Sequence, residues 1–463
     1  MKTENKMGTV LVNPLIWSMG LPMVLSMILQ AVYNVVDTIF VINSNAATQG
    51  NAALTAAFPV QILIIAIGVG TGVGINALLS GKLGEKDTKT ASRVAGNGIF
   101  LALMIYIVFF LFGLFLAEPY MQLMSGDSVV VSMGTEYLRI CCCFSIGAVG
   151  FTVYERFLQA TGKTVHSMAA QIAGAVCNIV LDYVFVMIFD WGAAGAAWAT
   201  VIGQILSLWV AMTLHYCLNK EIDGSFHFIK PSGAIIRTIY KIGVPAAIMQ
   251  ALLAVMMFVV LQIFKVIDNG TTMILMINTY GIYYKIMQTA LFAGFGLSNT
   301  LITIVSFNYG KQDKQRLKQV IRFGIVNSII VAAVIMLLFQ VFAAPISDLF
   351  GLSLPEQSAD GIRKEDILST CETAMHIATL GYIFMSISVS VQGILQGFCN
   401  IYKPIIISLL RLIVFVVPFA VLFCMSKYVT TVFWLTFVIA EVLTAGVALI
   451  FLKDSTQKAF VTL

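Results

Sequence analysis

The sequence predicts an all-α polytopic membrane protein: about twelve transmembrane helices in two pseudo-symmetric six-helix lobes. Three observations predict it. Of the 463 residues, 59% are hydrophobic and only 11% charged, with a mean hydropathy of +0.94, whereas soluble domains are about 45–50% apolar and about 25% charged. The apolar residues gather into runs of roughly the 20 residues that cross a bilayer core. Landmarks in the first six runs recur, in the same order, in the last six.

So few charges cannot cover a water-facing surface, which excludes a soluble globule. The formal net charge of +5 is spread over short loops rather than gathered into a stripe, so nucleic acid is not an expected partner. The cysteines (Cys141, Cys142, Cys143, Cys177, Cys217, Cys371, Cys399 and Cys424) lie in or beside apolar runs without CxxC spacing, and read as packing residues. The polar first six residues and the long apolar stretch from Leu15 do not form a signal peptide.

With a window of about 19 residues, the spans are 15–42, 52–80, 96–117, 137–160, 166–188, 193–217, 242–264, 272–307, 323–343, 371–397, 403–426 and 428–452. The eighth is too long to stand upright and is expected to tilt, bend or protrude. Basic residues set the topology. Lys2 and Lys6 precede span 1; Lys82, Lys86, Lys89 and Arg93 follow span 2; Lys163 follows span 4; and Lys220, Lys230, Arg237 and Lys241 follow span 6. Lys311, Lys314, Arg316, Lys318 and Arg322 follow span 8, Lys403 follows span 10, and Lys453 and Lys458 follow span 12. Among the alternate loops, 43–51 has no basic residue and 117–136 carries only Glu118, Asp127 and Glu136, whereas 344–370 holds Arg363 and Lys364. By the positive-inside rule both termini are expected in the cytoplasm, in a multi-pass protein of the cell (inner) membrane.

Gly20-Leu21-Pro22 opens span 1 as Gly243-Val244-Pro245 opens span 7. Gly68, Gly70, Ser80, Gly84 and Asp87 are matched by Gly294, Gly296, Ser306, Gly310 and Asp313, and Leu158-Gln159 by Leu395-Gln396. The expected division is an N-lobe at 1–217, a cytoplasmic linker at 218–241 and a C-lobe at 242–463. Six spans per lobe give both the same orientation, a parallel repeat that suits a transporter whose two bundles rock about a central site.

An ionised side chain at the bilayer centre costs about 2.5–3.5 kcal/mol on insertion scales, so each one needs a reason. In span 1, Gln30, Asn34 and Asp37 share one helical face, and Tyr33 lies one turn before Asp37. In span 5, Gln171, Asn178 and Asp182 form a second stripe, and span 6 adds Thr200. Counting about 1.5 Å per residue brings Asp37, Asp182 and Thr200 to a similar depth. Val260 and Phe419 stand at the approximate counterparts of the two acids, so the chemistry is asymmetric on a repeating scaffold. A carboxylate in a poorly solvated cavity exchanges a proton near neutral pH, and the same oxygens suit a hard cation such as sodium at Asp37, Asn178 and Asp182. The bland reading is hydrogen bonding that glues helices together. Glu155 and Lys285 join Gln30, Asn34 and Gln171 as candidate lining of a substrate cavity, though Glu155 and Arg156, near the inner end of span 4, equally read as snorkelling or paired charges; Arg411 and Glu441 read as structural partners across spans 11 and 12.

Two motifs are decoys. Thr161-Gly162-Lys163-Thr164 lacks the leading glycine and the strand of a P-loop. Gly68, Gly70, Gly72 and Gly74, inside an apolar span, read as a helix-packing face rather than a nucleotide loop. No enzyme constellation stands out, so the chain is expected not to be an enzyme.

These residues resemble the multidrug and toxic compound extrusion (MATE) transporters, in particular the prokaryotic branch with an acidic N-lobe site. The likeness runs through Tyr33-Asn34-Val35-Val36-Asp37-Thr38, Gly84 with Asp87, Leu158-Gln159-Ala160-Thr161-Gly162 and Asn178-Ile179-Val180-Leu181-Asp182. It continues through Gly195-Ala196-Ala197 to Thr200, then Tyr280-Gly281-Ile282 with Lys285, and Asn308-Tyr309-Gly310. The resemblance implies an alternating-access antiporter that exchanges protons or sodium for lipophilic, cationic organic compounds, with Tyr33, Asp37, Asn178, Asp182 and Thr200 as the cation-coupling set. It implies no cofactor beyond the coupling ion, and no partner beyond small-molecule substrates and the lipid bilayer. Span 7 carries no acid, unlike a second branch of the family. The alternative reading is a flippase for a lipid-linked precursor, for which Lys285 and Arg411 are the available cations.

Overall fold

The structure is a computed structural model that describes residues 5–42, 47–222, 228–267, 270–351 and 362–462, with the side chains of these except at 33–42, 47–49, 51 and 462. Twelve helical segments among the described residues are long and apolar enough to cross a membrane. Span 1 belongs to the helix Val12–Ile42 and span 2 to Ala47–Gly84. Spans 3 to 6 are Thr88–Phe115, Ser128–Ala160, Thr164–Ile188 and Gly192–Leu218. Spans 7 to 12 are Gly233–Val266, Gly270–Gly310, Lys314–Val341, Lys364–Gly397, Tyr402–Cys424 and Val429–Val461. No strand occurs among the described residues. In hydrocarbon every backbone N–H and C=O must be satisfied within its own segment, and helices do this.

An even number of spans puts both chain ends on one face of the bundle, here called the terminal face. The turns on this face are duplicated. After span 2, Lys86 takes a left-handed φ of 62° and Asp87 caps span 3 by accepting from the Thr90 N–H at 3.0 Å. After span 8, Gln312 takes φ 60° and Asp313 caps span 9 by accepting from the Arg316 N–H at 3.0 Å. The turns after spans 4 and 10 match as well, with Gly162 at φ 78° and Cys399 at φ 57°. The paired glycines and aspartates of the sequence therefore mark equivalent turns.

The two halves of the chain meet at the terminal face. Spans 1 and 2 pack against spans 8 and 7 through small residues. A Cβ on Gly70 would stand 2.8 Å from the Ala247 Cβ, and one on Gly296 would stand 2.7 Å from the Met23 carbonyl oxygen. At Gly74, Gly84 and Gly310 a Cβ would overlap backbone of the other half: Ile239, Phe307 and Gly81 respectively. The glycine run of span 2 is thus a packing face, as the sequence suggests.

Polar contacts close the same end. Asn76 and Thr303 exchange two hydrogen bonds of 2.9 and 3.1 Å, Asn327 donates to Asn13 at 2.9 Å, and the Thr300 hydroxyl sits 3.0 Å from the Met23 sulfur. The N-terminal segment forms a strap over this seam. The Met7 carbonyl accepts from Arg316 at 3.1 Å and Asn308 at 3.4 Å, and the Gly8 carbonyl from Lys311 at 3.1 Å. Arg316 also donates to the Val10 carbonyl. On the other side Asn5 donates to Glu221 at 2.8 Å. Burial, with the like charge of Lys163 second, holds the Lys6 ammonium below its ordinary range.

Towards the opposite face the halves have separate interiors. One hydrophobic cluster joins both halves, running from Met7 and Leu15 through Phe157 to Leu301 and Leu395. A second, from Leu253 through Tyr283 and Met375 to Phe437, draws only on spans 7 to 12 and the segments that flank them on the opposite face. Among the described residues, the hydrogen bonds between halves lie in the terminal part of the bundle. The polar contacts between the halves thus concentrate at the terminal face, and beyond it the C-terminal half keeps a hydrophobic cluster of its own.

Span 8 is a single helix of 41 residues. It begins and ends beyond the expected 272–307, as Gly270–Gly310. Span 7 starts at Gly233, inside the expected linker 218–241, because Arg237 and Lys241 lower the local hydropathy without interrupting the helix. The remaining linker residues Phe228, Lys230 and Ser232 lie against span 3. There Asn97 donates to the Lys230 carbonyl at 3.2 Å and accepts from the Ser232 N–H at 2.8 Å.

Candidate functional site

Asn178 and Asp182 lie one turn apart on span 5 and are 3% and 0% exposed. Span 6 brings them under cover. A Cβ on Gly203 would stand 3.0 Å from the Asn178 Cβ, and one on Gly174 would overlap the Ser207 hydroxyl. Two glycines and a serine thus let the helices touch at the level of the amide. Thr200, half-buried, sits one turn from Gly203 towards the opposite face. Directly after Asp182 the helix widens into a π-helical segment, Tyr183–Ile188. This is a local departure from regular hydrogen bonding that recurs at functional positions in helices. Gly195 approaches it closely, since a Cβ there would stand 3.1 Å from the Phe185 carbonyl.

Both polar atoms of the Asn178 side chain are buried without a hydrogen-bond partner among the described residues. A buried amide left so costs about 1–3 kcal/mol, and a ligand or ordered water offering both a donor and an acceptor would remove that cost. Span 1 packs along span 5 and its π segment. The side chains of Tyr33, Asn34 and Asp37 lie outside the described residues; of the expected coupling residues, Asn178 and Asp182 lie one turn apart on span 5, against the helix of span 6 that carries Thr200.

The expected cavity residues separate into two groups. Gln30 is half-buried on span 1, and Lys285 is half-buried on span 8. Lys285 belongs to an accessible stripe of Asn278, Gly281, Lys285, Gln288 and Phe292 at helical spacing, flanked by fully buried Tyr283, Tyr284 and Ile286. It has no ion-pair partner among the described residues. Gln171 and Glu155 are instead 8% and 4% exposed. Glu155 accepts from Ser167 at 3.4 Å and stands 3.9 Å from Arg156, which donates to Gln159 at 2.7 Å. Of the two readings of Glu155, cavity lining and pairing with Arg156, the structure shows the second, in a closed network near the terminal end of span 4. The neighbouring arginine and the small-residue face of span 2, where a Cβ on Gly72 would meet Arg156 at 3.1 Å, enclose it.

Two sets of residues escaped the sequence reading. Asn76 and Thr303 tie the halves together; a lone amide in the glycine-rich part of an apolar span was the available signal. Tyr283 and Tyr382 line a cavity with Arg411 and Glu441, which do pair, at 2.7 Å. No group of three or more His, Cys, Asp or Glu with metal-site geometry occurs among the described residues.

Comparison with known proteins adds three findings. The MatE family model matches residues 22–184 and 245–422, once in each half of the chain. The multidrug export protein MepA of Staphylococcus saprophyticus is 24% identical over 388 residues, 82% of this chain and 83% of that protein. The MepA of Staphylococcus aureus is 24% identical over 434 residues, 93% of this chain and 91% of that protein. In fold, the chain superposes with a TM-score of 0.90 at 21% identity, over 99% of both chains, on a structure described as the outward-facing conformation of a multidrug resistance MATE family transporter.

Proposed function

We propose, from the premise that this chain belongs to the MATE family of transporters, that it is a multidrug efflux transporter working as a secondary antiporter. It exchanges protons or sodium for lipophilic, cationic organic compounds by alternating access. The two halves act as lobes, and the terminal face, rich in Lys and Arg, is cytoplasmic. The sealed terminal face and separate interiors beyond it then correspond to a state open to the outside.

The observation that carries the reading is the fully buried Asp182 one turn from the unsatisfied amide of Asn178, on a helix that packs along span 1. Asp37 and Tyr33 on span 1, and Thr200 on span 6, complete the ion site. Binding of a proton or sodium there favours one packing of span 1 over another, and so biases the lobes between two states. Gln30 and the Lys285 stripe supply polar points on the wall of a substrate cavity. A flippase for an anionic lipid-linked precursor is the second reading, favoured by Lys285 as an accessible cation in mid-span.

The test is dye efflux from proteoliposomes under an imposed pH or sodium gradient. Asp182→Asn and Asp37→Asn are expected to abolish gradient-driven efflux of a cationic dye. Undiminished ion-driven efflux in the Asp37→Asn/Asp182→Asn double variant refutes the assignment. Loss of lipid-linked substrate movement in Lys285→Gln, with dye efflux absent in the wild type, favours the flippase.

A further inference from the structure

The C-terminal half buries an ion pair that the N-terminal site does not use. Arg411, 3% exposed in its side chain, donates from Nε to Glu441 Oε1 at 2.7 Å. The pair is incomplete: Arg411 Nη1 and Glu441 Oε2 are buried without a hydrogen-bond partner among the described residues. Both residues line a cavity walled by Tyr283, Tyr382, Met256 and Phe437. The cavity holds about 20 Å³, and one water needs about 10–15 Å³ on the same measure. A free guanidinium N–H and a free carboxylate oxygen on one water-sized space are the donor and acceptor that a bridging water requires. Arg411 also lies within a π-helical segment, Leu410–Val414, the second such segment among the described residues.

We propose that Glu441, with Arg411 and a water that bridges them in this cavity, is a second proton-exchange site, separate from the acids of spans 1 and 5. A proton arriving through that water adds to Glu441 Oε2; an O–H bond forms, the carboxylate becomes a carboxylic acid, and the water is left neutral. Arg411 keeps its charge throughout. The groups facing Glu441 are Arg411 from span 11, Tyr283 from span 8 and Tyr382 from span 10, with Cys371 beyond Tyr382; span 7 offers the cavity only Leu253 and Met256. Protonation removes the charge that ties span 11 to span 12, and the irregular π segment gives Arg411 a place to shift. Span 12 backs closely onto span 10 here, since a Cβ on Gly381 would stand 3.2 Å from the Val438 Cα.

The experiment is infrared difference spectroscopy of the full chain in lipid nanodiscs, stepped between about pH 4 and about pH 9. The Asp37→Asn/Asp182→Asn variant serves as background, so failure of the N-terminal assignment leaves this readout standing. One protonated-carboxyl band is expected to titrate in that background, to vanish with Glu441→Gln and to move its midpoint with Arg411→Lys. A band from Glu155 survives Glu441→Gln and is thereby told apart. If Glu441→Gln fails to fold, Glu441→Asp replaces it and must displace the band. A spectrum in which no titrating band responds to the Glu441 substitution overturns the proposal.

Discussion

Gly296 is where one added methyl group should move the whole molecule. It lies on span 8 against the backbone of span 1, and a Cβ there would stand 2.7 Å from the Met23 oxygen and from the Val24 N and Cα atoms. Ordinary contact starts at 3.4 Å, so in Gly296→Ala the two helices must part by about 0.7 Å against backbone that has no rotamer to change. Overpacking of this kind costs about 1–3 kcal/mol. That cost falls only on the arrangement in which the terminal face is sealed, so the equilibrium between sealed and open terminal faces should move about 5- to 150-fold towards open. Spin labels at Lys89 and Gln315, both exposed on this face and in different halves, would report a longer-distance population in Gly296→Ala. Gly281→Ala is the control, on the same helix but with nothing within 4 Å of the added atom. An unchanged distance distribution in Gly296→Ala, in a folded protein, would refute the reasoning.

Three further outcomes are expected. Arg316→Ala removes charged donors from the Met7 and Val10 carbonyls, at about 1.5–3 kcal/mol for a hydrogen bond to a charged group, and should speed amide hydrogen exchange in residues 5–10. Cys399→Gly relieves a left-handed φ of 57°; set against the added freedom of glycine in the unfolded chain, it should stabilise by about 0.5–1 kcal/mol, read as a higher Tm, whereas Gly162→Ala at φ 78° should lower it. Hydrogen bonds from the Thr90 side chain and N–H hold the Asp87 carboxyl below its usual value. Its folded value is thus depressed, so the cap contributes fully above the ordinary value of 3.8 and is lost as pH falls through the folded one. Asp87→Asn should flatten the acid limb of a Tm against pH curve, and an unaltered limb would exclude the cap as its source.

The twelve spans were legible because burying an uncharged run in hydrocarbon is a local and additive energy, which a window along the chain can sum. The repeat was legible because Asp87 and Asp313 do the same job at equivalent turns. Span limits were less so: Arg237 and Lys241 depress hydropathy, but the helix that carries them goes on. Glu155 shows the deeper limit. Its depth follows from counting residues, yet whether it meets a cavity or an arginine depends on which neighbour packs there, and that is a tertiary matter. The pairing of Arg411 with Glu441 could be expected from two charges in adjacent apolar spans, but not the tyrosines around them, since a tyrosine in a membrane helix is ordinary. Asn178 and Asp182 stood out through spacing, and the structure adds the glycine contacts that shut them from lipid.

The strap over the terminal face is held through its main chain as well as through the Asn5 and Met7 side chains. Arg316, Asn308 and Lys311 grip the carbonyl oxygens of Met7, Gly8 and Val10, groups that every amino acid carries. Drift in the exposed side chains of Thr9 and Val10 should therefore be tolerated, whereas a backbone change such as proline insertion or removal of the first ten residues would undo all of these grips together. Much of the latch is written in the donors of span 8, span 9 and the turn between them.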